Sequence, residues 1–158
     1  MSGPAGSTPA RMVDVGVKEV TAREAAAECI VTMSAEACAA LVAGTPKGQP
    51  LEAAKVAGLM AVKRTPDLLP FCHPIALTGA TVTLDADPDA GTIRVQATVT
   101  ANDRTGVEME SLTAAAVAAL CLYDTAKAYD RAAEITGLHL MSKSGGRGGD
   151  YRRSSQPQ

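Results

Sequence analysis

The chain has 158 residues, 46% of them hydrophobic, and a formal net charge of −2. That length suits one domain burying roughly 68–70% of its unfolded surface, and a near-neutral chain creates no global field to draw in nucleic acid. Aromatic residues make up 3%, with no Trp, which disfavours the stacking platforms of single-strand binders.

Cys29, Cys38, Cys72 and Cys121 show no CxxC spacing, the pattern of a reduced protein and not of a disulfide frame. No secretory h-region and no apolar run of ~18 residues is found, so the expectation is a cytoplasmic protein. Residues 1–11 are Pro/Gly/Ser-rich and read as a disordered tail, 12–150 as a single catalytic domain, and 151–158 as a C-terminal tail.

In chain order, 29–33 reads as a strand. Ser34 can cap a short helix over 35–43 that Gly44 stops. Lys47 follows on a Gly/Pro loop, and Pro50 suits the first turn of a second helix over 50–64. Pro66, Pro70 and Pro74 then stiffen the run TPDLLPFCHP, holding Phe71, Cys72 and His73 in place. Alternating apolar and polar residues over 75–85 and 92–100, around the turn composition ADPDAG, predict an antiparallel hairpin with one apolar face.

The stretch 105–130, TGVEMESLTAAAVAALCLYDTAKAYD, reads as one Ala-rich helix. Small residues nearly all round imply a helix clasped on several sides. Its charges sit at its ends: Glu108 and Glu110 at one, Asp124 and Lys127 at the other. At ~1.5 Å of rise per residue the two ends lie roughly 21 Å apart, so one protomer's helix does not bring both to one small ligand. A strand over 135–142 and the glycine-rich KSGGRGG complete the pattern. The whole predicts an α+β fold with helices on one face of an antiparallel sheet, leaving the other face for cover by another subunit.

Several groups invite chemistry. His73 stands between a thiol and a proline in the stiff loop. Neighbours in an extended loop point apart, so Cys72 and His73 do not read as a nucleophile dyad, and the scattered cysteines make no zinc site. Asp124 and Lys127, three apart, read either as a surface ion pair or as an acid and base that tune each other. Glu108 and Glu110 read either as dipole-stabilising carboxylates or as site residues. Lys143 and Arg147 among glycines can wrap an anion. With Lys47, Lys63, Arg64 and Lys127 they place cations at loops and element ends, a pattern suited to a phosphate ester.

MVDV, the KG loop, AVKRTPDLLPFCHP, TGVEMESLTAAAVAAL, YDTAK and KSGG occur in that order. The run resembles the cyclic pyranopterin monophosphate synthase family of molybdenum cofactor biosynthesis over residues 12–150. The resemblance implies a ferredoxin-like fold and a homohexamer, a trimer of dimers, with sites where subunits meet. It implies a lyase that turns (8S)-3′,8-cyclo-7,8-dihydroguanosine 5′-triphosphate into cyclic pyranopterin monophosphate and diphosphate. Motif by motif, Asp124, Lys127 and Lys47 would be catalytic. Phe71, Cys72, His73, Glu108, Met109 and Glu110 would line the substrate pocket, and Lys63, Arg64, Lys143 and Arg147 would meet the triphosphate. No resident cofactor or metal is implied, although Mg2+ could accompany the triphosphate. A non-catalytic nucleotide-binding subunit and a phosphohydrolase are the rival readings; the first would bind without releasing diphosphate, the second would attack GTP.

Overall fold

The structure, a computed structural model, describes residues 9–154. Strands β1 (Thr21–Thr32), β2 (Leu77–Asp87), β3 (Thr92–Asp103), β4 (Glu134–Ser144) and β5 (Tyr151–Arg152) form one antiparallel sheet in the order β2-β3-β1-β4-β5. Helices α1 (Ala35–Ala43), α2 (Pro50–Leu68) and α3 (Glu108–Ala126) connect them. This is the α+β, ferredoxin-like arrangement that the sequence reading expects.

Period-two patterning decides which sheet face is dry. Ala25, Ala27, Cys29 and Val31 of β1 alternate inward beside Ile93, Val95, Ala97, Val99 and Ala101 of β3, all fully buried. Helix α3 lies across this face, burying Ala114, Ala115, Ala118, Ala119 and Leu122. Alanines allow close approach: the Cys29 thiol reaches the Ala115 carbonyl at 3.5 Å. Gly58 of α2 extends the same logic, because a Cβ there would lie 2.9 Å from Val82 and 3.1 Å from the Ala114 carbonyl. Helix α2 therefore rests directly on α3 and β2, the clasped setting predicted for the Ala-rich helix.

Boundaries differ from expectation in instructive ways. Strand β1 begins at Thr21, eight residues before the expected start, because pairing with β3 along its whole length overrides the weak strand propensity of TAREAAAE. Helix α2 runs through Pro66 to Leu68, whereas the expected end was residue 64. Helix α3 occupies Glu108–Ala126, shorter than 105–130, and gives way to turns. Ser34 caps α1 as predicted, its hydroxyl accepting from the Ala37 N–H at 3.1 Å. Tyr151 and Arg152 pair with β4 as a short edge strand. Most of the tail expected over 1–11, and residues 155–158, lie outside the described residues. Among the described residues no helix is long and apolar enough to cross a membrane.

Candidate functional site

The antiparallel crossing of α2 and α3 sorts the candidate residues into two poles. The loop before α2 meets the end of α3, and the loop after α2 meets its start.

At the end of α3, the Lys127 ammonium and the Asp124 carboxylate pair at 2.7 Å on the exposed surface. Their hydrogen bond pushes the Lys127 pKa up. It pushes that of Asp124 down, helped by the charges of Lys127 and Lys47. Lys47 thus faces the pair, and a hollow of about 240 Å3 lined by Lys47, Thr125 and Tyr129 opens beside it. The fold brings these three groups together. In the isolated protomer both members of the pair are held charged; desolvation would favour the neutral forms.

At the start of α3, Glu108 and Glu110 diverge. Glu108 folds back over Gly106, where any Cβ would collide with its carboxylate, and accepts from the Lys143 ammonium at 2.9 Å. Glu110 turns inward and is 2% exposed. Burial, more than the charges of Glu108 and Asp103, pushes its pKa up to about 7. A carboxyl near 7 exchanges protons at physiological pH, as a general acid or base must. The structure therefore separates two environments that the sequence could not distinguish. Cys72 lies within the field of Glu110; burial first, then that charge, raises its thiol pKa, which disfavours a nucleophilic thiolate. His73 is half-buried beside it, while Phe71 and Met109 are exposed apolar groups on the same pole.

Next to Glu108 opens a cavity of about 430 Å3 lined by Lys18, Arg23, Arg104, Lys143 and Arg147, with Glu19 and Glu108 as its acidic members. Five cations against two carboxylates give this concavity a net positive lining, suited in charge to an anion. Lys143 and Arg147 were expected there. Lys18, Arg23 and Arg104 were missed. The available signal was the alternation Arg23, Ala25, Ala27, Cys29, Val31, which puts Arg23 on the inward register of β1 once that strand is started at Thr21. Lys63 and Arg64 do not line this cavity; both are exposed on α2, and Arg64 pairs with Asp67 at 3.4 Å.

The two poles occupy opposite ends of α3. Glu110 and Asp124 are fourteen residues apart, roughly 21 Å at the α-helical rise. Within one protomer the Asp124–Lys127 pair and the cationic cavity therefore address different solvent-facing surfaces.

Comparison with known proteins bears on this geometry. Residues 12–146 match the model of the MoaC family. The chain is 51% identical over 143 residues to the cyclic pyranopterin monophosphate synthase of Roseiflexus sp. (strain RS-1), covering 90% of each chain. It is 52% identical over 145 residues to the protein of that name from Parvibaculum lavamentivorans, again covering 90% of each. With the one from Streptomyces griseus it shares 50% identity over 147 residues, 92% of this chain and 82% of the relative.

Proposed function

This chain belongs to the MoaC family of molybdenum cofactor biosynthesis enzymes, and from that premise we propose that it is a cyclic pyranopterin monophosphate synthase. Its substrate on this reading is (8S)-3′,8-cyclo-7,8-dihydroguanosine 5′-triphosphate. It releases cyclic pyranopterin monophosphate and diphosphate. The observation that supports the reading is that the five-cation cavity and the buried Glu110, which does not line it and whose pKa is pushed up to about 7, share the start of α3. A triphosphate needs the first, and proton traffic on a ring system needs the second.

The cations Lys18, Arg23, Arg104, Lys143 and Arg147 hold the polyphosphate and take up charge as diphosphate departs. Glu110, buried near Cys72, is the group that exchanges protons with the ring system on this reading. Asp124, Lys127 and Lys47 are the acid–base set. Because they sit at the far pole, the complete site forms where one protomer's Lys127 pole meets a partner's cationic pole. A homohexamer arranged as a trimer of dimers supplies such junctions and covers the outer sheet face. Exposed Phe71 and Met109 are apolar contacts available for that closure. Closure also strips water from the Asp124–Lys127 pair, the step that would bring Lys127 towards its neutral, basic form. Mg2+ travels with the triphosphate on this reading, and the protein acts in the cytoplasm.

Purified protein incubated with the cyclised nucleotide should release diphosphate and yield the cyclic monophosphate product, with GTP inert. Lys127→Ala and Asp124→Ala should each abolish product without lowering Tm, since both groups are exposed. Full turnover in either variant would remove the assigned roles, and hydrolysis of GTP would point to a phosphohydrolase instead.

A further inference from the structure

The cavity is built from segments far apart in sequence, and one residue outside its lining ties them together. Asp103 ends β3. Its Oδ2 accepts the Ala76 N–H at 2.7 Å. Its Oδ1 accepts the Arg104 N–H at 2.6 Å. Its backbone carbonyl accepts from Arg23 Nε at 3.3 Å. Each partner continues the chain of contacts. Ala76 closes the Pro-flanked loop bearing Cys72 and His73, and its carbonyl accepts the Asn102 N–H at 3.2 Å. Arg104 Nε donates to the Lys18 carbonyl at 3.0 Å, fixing the N-terminal segment. Arg23 Nη1 donates to the Gly145 carbonyl at 3.3 Å.

The glycine loop is moulded to that guanidinium. Gly145 and Gly146 have φ of +92° and +77°; a Cβ at Gly146 would fall on the Arg23 guanidinium, and one at Gly145 on the Ala22 carbonyl. Two of the cavity's cations, Arg23 and Arg104, thus spend part of their donor capacity on backbone carbonyls; the Asp103 carbonyl accepts from Arg23, and its carboxylate fixes the backbone of Arg104 and of Ala76. The contacts radiating from this one residue reach the His73 loop, the Lys18 segment and the Lys143–Arg147 loop.

We infer that Asp103 is a positioning residue that assembles the polyanion cavity, holding its cation-bearing segments in register without touching the ligand. The inference rests on the reading of that cavity as a polyphosphate site. It makes a prediction opposite in sign to simple electrostatics. A carboxylate beside five cations repels an anion, so deleting its charge alone should tighten anion binding. If Asp103 positions the cations, deleting it should weaken binding.

The test is calorimetric binding of inorganic tripolyphosphate to the full-length protein, its Asp103→Ala variant and its Asp103→Asn variant, with Tm measured for each. Loss of two hydrogen bonds from the junction should weaken binding in Asp103→Ala by about tenfold. Asn keeps one acceptor, so Asp103→Asn should weaken it by about threefold, a partial rescue that charge removal does not predict. Unchanged or tighter binding in Asp103→Ala would overturn the inference, as would equal losses in the two variants. Should Asp103→Ala fail to fold, Asp103→Asn decides alone, with unchanged or tighter binding again overturning it. A wild-type protein that does not bind tripolyphosphate would defeat the cavity reading itself, and the inference with it, before any variant is compared.

Discussion

Glu110→Gln is the substitution whose effect the structure sizes most directly. The wild-type carboxyl is 2% exposed and titrates at about 7 against a usual 4.5, chiefly because burial penalises its charge. Between those two values the folded chain keeps a proton that the unfolded chain has released. Stability from this group is therefore present at low pH and falls as pH rises through about 4.5 to 7. At ~1.36 kcal/mol per pH unit, ionising Glu110 in place costs roughly 3 kcal/mol by pH 8. Gln has nearly the same shape and never ionises. The variant should match the wild type within about 1 kcal/mol at pH 5 and exceed it by roughly 2–3 kcal/mol at pH 8. For a chain of this size that is a Tm gain of roughly 5 °C or more at the higher pH. Paired thermal melts at pH 5 and pH 8 decide it. A difference in Tm between variant and wild type that is the same at both pH values would refute the assignment of a displaced proton to Glu110. The same variant should lose activity, because its side chain can no longer give or take that proton.

Two further substitutions test the packing of α2 and the capping of α1. Gly58→Val places atoms against Val82 and the Ala114 carbonyl and should cost about 1–3 kcal/mol, read as a lower denaturation midpoint. Ser34→Ala removes the hydroxyl that caps α1 and should cost about 1 kcal/mol, a Tm drop of roughly 2–4 °C; no change would mean that the cap contributes nothing.

The site was legible to the extent that its chemistry is local. Asp124 and Lys127 face each other because three residues make most of a helical turn, and that spacing is written in YDTAK. The Ala-rich run declared a clasped helix, and β1 and β3 do alternate inward against it. Glu110 was harder. Two carboxylates separated by one residue look alike in sequence, and only tertiary packing buries one while Lys143 pairs with the other. Arg23 and Arg104 were missed because nothing near them in sequence marks them. Arg23 counts only after β1 is extended to Thr21, and that extension is stabilised by pairing with a strand about seventy residues later.

By itself, then, the sequence determined the three helices and four of the five strands, the inward face of the β2–β3 hairpin, the close clasp of α3 and the spacing of the Asp124–Lys127 ion pair, since each depends on propensity or periodicity within a few residues. Tertiary structure decided which end of α3 each loop meets, which glutamate is buried and which five cations share a cavity. Those outcomes depend on contacts between segments up to 122 residues apart, such as Arg23 with Gly145. Local rules carry no information about such distances; only the closed sheet and the two crossed helices do.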